Sequence, residues 1–317
     1  MKMLVTGGAG FIGSNFLEYM LNKYPNYNFV CLDNLVYAPN ESNLKNLYNF
    51  NNFKFILGDI TDENLIDEVF KNEKFDFVIN FAAEIAVGYS IENPDIFFKT
   101  NVFGTLTLMK ACIKYDVKRF HQISTDEVYG DVEFDSDISF DEKSRLIPSN
   151  PYSASKASAD MLALSFYRTY NLGITISRSS NNYGPRQSKR ALIPLVISNA
   201  LNNKNIPVFG TGKNIRDWLY VLDHVYALDL IIHNGKIGEI YNICGNSKLN
   251  NLEVINKILD ILNKDKNLIT FVEDRPGHDM KYSINSEKIK KELNFNKQYN
   301  FDNGIIETIN WFKDNKI

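Results

Sequence analysis

Thr6-Gly7-Gly8-Ala9-Gly10-Phe11-Ile12-Gly13 stands between a short apolar run at 3–6 and a helical pattern. Three of its four glycines do separate jobs. Gly7 permits a tight turn, Gly10 lets the backbone approach a pyrophosphate at the helix N-terminus, and Gly13 lets helix and strand pack closely. A glycine pattern alone is a weak signal. Its weight here comes from the strand and helix around it and from Asp33, an acid at the end of the next apolar run. A carboxylate there accepts from the adenosine ribose hydroxyls and repels a 2′-phosphate, which favours NAD over NADP.

Working outward, apolar runs at 29–32, 53–57, 75–80, 120–124 and 174–178 alternate with helical patterns. That alternation predicts an α/β fold, a doubly wound parallel sheet of the Rossmann kind. Pro94 is expected to open a long helix through Asn101, Gly104 and Cys112, and Pro151 the helix that carries Tyr152 and Lys156, because proline suits a first helical turn. Both helices read as buried on two sides. Beyond about residue 179 the alternation becomes irregular, with loop-rich pieces at 181–190, 209–214 and 274–280. The expectation is an NAD-binding domain over 1–178 and a smaller C-terminal substrate lobe over 179–317, with part of 215–245 returning to the first. No Pro/Gly/Ser linker marks the boundary, and there are no repeats or low-complexity tracts.

The 317 residues are 44% apolar, enough for one large α/β domain and a smaller lobe. A net charge of -3 without any Lys/Arg run gives no reason to expect nucleic acid. The first thirty or so residues carry no charged, apolar and cleavage regions in series, and no apolar run reads as long enough to span a bilayer; a cytoplasmic protein without a membrane partner is expected. Cys31, Cys112 and Cys244 lack metal-ligand or C-x-x-C spacing and read as buried small hydrophobes, with no metal site. His121, His224 and His233 read as satisfied or surface imidazoles. His278 lies in Arg275-Pro276-Gly277-His278-Asp279, a turn polar enough to line a site. Gly210-Thr211-Gly212-Lys213-Asn214 mimics a phosphate loop, but Pro207 stands where its first glycine is required and Asn214 where its Ser/Thr is required, so it is rejected.

Two segments carry the chemistry: Ser124-Thr125-Asp126-Glu127-Val128-Tyr129-Gly130 and Tyr152-Ser153-Ala154-Ser155-Lys156. Tyr and Lys four residues apart project from one helix face, so the ammonium is expected to lower the phenol's pKa and let it take a proton from an alcohol. That is the chemistry of hydride transfer to NAD. Asp126 and Glu127 add a second acid and base, able to remove a proton from one carbon and protonate a departing hydroxyl. Oxidation coupled to loss of water is the reaction these groups suggest. Asp59 after the third run could meet the adenine amine, and Ala82-Ala83 after the fourth offer small side chains against the cofactor. Arg216 and Arg275 suit a diphosphate, because guanidinium forks match phosphate oxygens.

With TGGAGFIG at 6–13, STDEVYG at 124–130, YSASK at 152–156, SNNYGP at 180–185, RDWLYVLDH at 216–224 and RPGHD at 275–279, the chain resembles the extended short-chain dehydrogenases. Within them it is most similar to the dTDP-glucose 4,6-dehydratases, and the Thr-Asp-Glu triplet is the specific part. The resemblance implies that Tyr152 deprotonates the sugar 4-OH, that Lys156 holds the nicotinamide ribose, and that Thr125 hydrogen-bonds the 4-oxygen. Glu127 would remove the C5 proton and Asp126 protonate the leaving 6-OH. It implies NAD contacts at Phe11, Ile12, Asp33, Asn34, Leu35 and Val36, and further ones at Asp59, Ile60, Ala82, Ala83, Thr100 and Asn182. It gives Asn181, Arg216, Asn251 and Arg275, with Arg190 and His278 nearby, to the nucleotide-sugar, and a homodimer through the helices around Asn101 and Tyr152.

Two departures bear on specificity. After Ala82-Ala83-Glu84 the pattern Ser-His-Val-Asp-Arg-Ser is replaced by Ile85-Ala86-Val87-Gly88-Tyr89-Ser90. After Gly184-Pro185 the stretch ending Pro-Glu-Lys-Leu-Ile-Pro becomes Arg186-Gln187-Ser188-Lys189-Arg190-Ala191-Leu192-Ile193-Pro194. A dehydratase of another UDP-, CDP- or GDP-hexose, a 4-epimerase and a non-catalytic NAD-binding scaffold remain as alternatives.

Overall fold

The computed structural model of the chain describes residues 1–36, 42–274 and 279–315. All six expected runs are strands: β1 (Lys2–Thr6), β2 (Asn28–Asp33), β3 (Phe53–Leu57), β4 (Phe77–Asn80), β5 (Arg119–Thr125) and β6 (Gly173–Ser179). The C-terminal half adds β7 (Asn181–Tyr183), β8 (Ile206–Phe209), β9 (Ile215–Tyr220), β10 (Ile240–Ile243), β11 (Lys248–Asn250) and β12 (Ile269–Val272). The main sheet runs β10-β6-β5-β4-β1-β2-β3 and every pairing in it is parallel. Such a sheet is covered on both faces; β4 and β6 are buried along their whole lengths.

One face packs Phe16, Leu17 and Met20 of the helix Phe11–Lys23 and Val225, Leu228 and Ile231 of the helix Val221–Asn234. The other packs Leu108, Met109 and Cys112 with Ala163 and Phe166 of the helix Pro151–Tyr170. From β1 the chain goes to β2 and β3 on one side, then crosses back to β4 on the other. The β1/β4 edge is therefore the switch point, where a crevice opens beyond the strand ends. A further core of Val196, Ile197, Trp218, Tyr220, Ile258 and Ile305 joins the three-stranded sheet β11-β9-β7 to the C-terminal helices.

The helix from Pro94 departs from expectation in three ways. It is α-helical over Pro94–Phe97, π-helical over Phe98–Gly104 and α-helical again over Thr105–Lys114. Its 21 residues are long and apolar enough to cross a membrane by length and composition, which the sequence reading did not expect, although half of that stretch is buried within the protein. Nor are this helix and Pro151–Tyr170 covered on two sides: Phe103 and Met161 are 58% and 57% exposed.

Candidate active site

The glycine loop has the geometry its sequence implies. Gly7 has φ +67°, and a Cβ there would lie 2.6 Å from the Ala82 nitrogen, across the switch point. A Cβ on Gly13 would lie 2.5 Å from the Gly7 oxygen, so the helix can approach only without one. At Gly10 the nearest obstacle is the Gly7 oxygen at 3.2 Å, which leaves room in front of the helix N-terminus. Asp33 Oδ2 accepts from the Ala9 N–H (2.9 Å) and Oδ1 from the Leu35 N–H (2.8 Å), fixing the carboxylate at the end of β2; burial pushes its pKa up. Asp59 accepts from the Thr61 N–H and hydroxyl and from Asn34 Nδ2. Burial opposes its charge, but those hydrogen bonds leave its pKa below the ordinary value.

Asn34 and Val36 are exposed, and Phe11, Ile12, Leu35, Ala82, Ala83 and Thr100 half-buried, around the same crevice side of the sheet. Ile60 differs: it is 3% exposed, and its side chain lies where a Cβ on Gly104 would go, so only its backbone can face a cofactor. The cradle with no Cβ at Gly7 or Gly10 and the fixed Asp33 carboxylate fit an adenine dinucleotide.

β5 delivers the acid/base triplet. Thr125 ends the strand, and its hydroxyl accepts from the Glu127 N–H (3.3 Å), capping the 3₁₀ turn Asp126–Tyr129. Asp126 is 3% exposed and its Oδ2 has no hydrogen-bond partner among the described residues. Burial, with negative Glu127 beside it, holds the Asp126 carboxyl well above the usual range; Arg216 opposes the shift.

Tyr152 and Lys156 share the helix Pro151–Tyr170, which begins with a capping box between Asn150 and Ser153. The expected lowering of the phenol by the ammonium is not what the structure shows. Burial, then the negative charge of Glu127, pushes Tyr152 up, while the Thr125 hydroxyl draws it down. Lys156 Nζ instead donates to the Ile123 carbonyl at 2.6 Å. Burial brings Lys156 down to about 8, with Asp160 holding it up.

Arg216, 7% exposed, donates to the backbone carbonyls of Ile215, Met280 and Asp279, and its guanidinium lies 4.4 Å from the centre of the Tyr282 ring. Tyr282 escaped the sequence reading. Its hydroxyl donates to Asp279 and reaches Glu127 Oε2 at 3.5 Å, 155 residues away in sequence, and no spacing rule could have found it.

Asn182 donates to Ser179 and Ser180 and accepts at Oδ1 from His224 Nδ1 (2.9 Å). Asn181 keeps a buried Oδ1 without a partner among the described residues. His121 is satisfied at both nitrogens by Thr175 and Ser177, as expected. His224 is only half satisfied: its Nε2 is buried without a partner among the described residues, and burial takes its pKa down to about 3, keeping it neutral. Arg190 is exposed on the loop before the helix Leu192–Leu201, and Asn251 opens the helix Asn251–Leu262 with its N–H on the Asn214 carbonyl. Arg275 and His278 lie outside the described residues.

A dinucleotide cradle at the switch point, beside a Tyr/Lys pair and an acid/base triplet, defines an extended short-chain dehydrogenase. The chain belongs to the GDP-mannose 4,6-dehydratase family, whose model matches residues 4–308. A probable dTDP-glucose 4,6-dehydratase of Sinorhizobium fredii is 45% identical, covering 99% of this chain and 93% of that protein. The crystal structure of a dTDP-glucose 4,6-dehydratase from Streptomyces venezuelae, with NAD and TYD bound, superposes with a TM-score of 0.95 at 39% identity and covers 100% of this chain and 98% of that one. A UDP-glucose 4-epimerase from Thermotoga maritima, 29% identical, covers 100% of both chains at a TM-score of 0.92. The fold is thus common to both reactions, and the site must separate them.

Proposed function

We propose that this chain is an NAD-dependent hydro-lyase that converts dTDP-glucose to its 4-keto-6-deoxy product. The observation that carries the reading is the buried Asp126 carboxyl beside Glu127 at the end of β5, whose Oδ1 accepts from the Thr125 hydroxyl and whose Oδ2 has no hydrogen-bond partner among the described residues. An epimerase has no hydroxyl to expel and no need of that acid. When bound, NAD supplies the ring that takes up hydride from C4 and returns it to C6, so it is regenerated in each turnover. Tyr152 takes the 4-OH proton and Thr125 holds the 4-oxygen. Glu127 removes the C5 proton made acidic by the new ketone, and Asp126 protonates the departing 6-OH. Lys156, anchored on Ile123, presents its ammonium to the nicotinamide ribose. The glycine loop with Phe11, Ile12, Asp33 to Val36, Asp59, Ala82, Ala83, Thr100 and Asn182 forms the cofactor side. Asn181, Arg190, Arg216, Asn251, Arg275 and His278 form the nucleotide-sugar side, on a C-terminal lobe that closes over the substrate.

A homodimer fits the exposed apolar residues Phe98, Phe103 and Met161 on the two long helices, which a second copy would cover.

Substrate deuterated at C4 tests the reaction directly. Deuterium is expected at C6 of the product, with one solvent hydrogen at C5 and no net NADH. Deuterium recovered at C4 of a rearranged sugar would replace the dehydratase reading with the epimerase one.

Nucleotide choice is expected to be loose. Arg190 is exposed and Ala191 short at positions where the dehydratase pattern has an acid and a lysine, and Ile85 and Tyr89 are exposed where it is polar. The ratio of kcat/KM for dTDP-glucose over UDP-glucose is predicted to stay below about a hundredfold, the span one methyl contact normally gives. A larger ratio would show that other residues read the base.

A further inference from the structure

A buried chain of hydrogen bonds links the two ends of the acid/base triplet to the helix that carries Tyr152 and Lys156, and none of its members has a role in the chemistry above. Asp160 and Arg178 form an ion pair at 2.9 Å with side chains 0% and 2% exposed. The Asp160 oxygen that accepts from Arg178 Nε also accepts from the Ser124 hydroxyl at 3.0 Å. Arg178 Nη1 donates to the Tyr129 hydroxyl at 2.8 Å, and that hydroxyl donates to Asn242 Oδ1 at 2.9 Å. The Asn242 N–H in turn donates to Glu142 at 2.8 Å.

Ser124 precedes Thr125-Asp126-Glu127, and Tyr129 closes the 3₁₀ turn that follows. Asp160 sits one helical turn beyond Lys156 and two beyond Tyr152 on the helix Pro151–Tyr170. One carboxylate therefore ties the strand, the turn and the helix that hold the two halves of the chemistry. An ion pair this deeply buried gives back in attraction little more than it loses in desolvation, so stability alone is a poor reason for it. Fixed geometry is the better reason, since catalytic groups must be held within fractions of an ångström by partners whose own positions are locked.

We propose that the Asp160–Arg178 pair, with Ser124 and Tyr129, is a positioning bracket that sets the Asp126/Glu127 turn against Tyr152. The proposal rests on the dehydratase reading of the site. Its function is to keep the elimination step in register with the C4 oxidation. The hydrogen bonds of the Tyr129 and Ser124 hydroxyls go to Arg178, Asn242 and Asp160, so the bracket works through the turn it holds.

Tyr129→Phe tests it mildly: the ring stays against Phe140, 5.5 Å away, and only the hydroxyl that joins Arg178 to Asn242 is lost. Ser124→Ala removes the link at the other end and leaves the ion pair intact. Each NAD-loaded variant is run on dTDP-glucose, following product and the absorbance of enzyme-bound NADH. Turnover is expected to fall about tenfold to a hundredfold, the cost of a displaced reacting group, with KM nearly unchanged. Bound NADH per active site is expected to rise, because oxidation outruns elimination. Wild-type turnover in either variant, or slower turnover with the wild-type level of bound NADH, would overturn the bracket and leave a merely structural ion pair. Wild-type product, measured in the same run, reports separately on the dehydratase reading.

Discussion

Tyr152→Phe is expected to lower turnover by about 10²–10⁴, the usual loss on removing a general base, while NAD still binds. The ring itself is a packing element: it is 8% exposed and meets the buried Phe97 edge-on, with centroids 6.3 Å apart. Phenylalanine keeps that contact and the capping box at Asn150, so the fold and the cofactor cradle should survive. What disappears is the hydroxyl that meets the Thr125 side chain. Burial and the negative charge of Glu127 raise that phenol's pKa, against the Thr125 hydroxyl, which draws it down. NAD retention, measured by titration calorimetry, and product formation with dTDP-glucose check the prediction together. Near-full turnover by the variant would take the base role from Tyr152.

Glu127→Gln is expected to separate the two halves of the reaction. Glutamine is close to isosteric and can keep the contact with the Tyr282 hydroxyl, 3.5 Å from Glu127 Oε2, and the backbone cap from Thr125 is unaffected. It cannot accept the C5 proton. The C4 oxidation proceeds, elimination slows by about 10²–10⁴, and enzyme-bound NADH accumulates on mixing with substrate. A stopped-flow absorbance trace records it. Formation of 4-keto-6-deoxy product at the wild-type rate would remove Glu127 from the elimination step.

The motifs proposed for the site were legible because they are local. The glycine loop, the Tyr/Lys pair on one helix and the Thr-Asp-Glu triplet each lie within eight residues, where spacing and backbone geometry are tightly coupled. The six sheet strands were legible because both faces of a parallel sheet are covered, so each carries a cluster of apolar residues between helical patterns, even where β5 and β6 include polar ones. β10 was not, because Ile240-Tyr241-Asn242-Ile243 is too short to show a period, and only its pairing with Ile176–Ser179 makes it a strand. The π-helical turn at Phe98–Gly104 was equally silent. It places Asn101, whose side chain bonds both backbone groups of Glu84 and the Ser155 hydroxyl, where an unbroken α-helix was expected.

The sequence by itself determined the fold class and the cofactor class and supplied the candidate proton-exchanging groups, since those depend on residue type at short range. Tertiary structure decided how those groups are tuned. Burial beside Glu127 raises the Asp126 carboxyl, and Lys156 faces the Ile123 carbonyl because β5 runs beneath its helix. Tyr282 reaches Glu127, and Arg178 reaches both Asp160 and Tyr129, only because the chain returns from far away. Desolvation and long-range contact set proton affinity and register, and neither can be read from spacing along a chain.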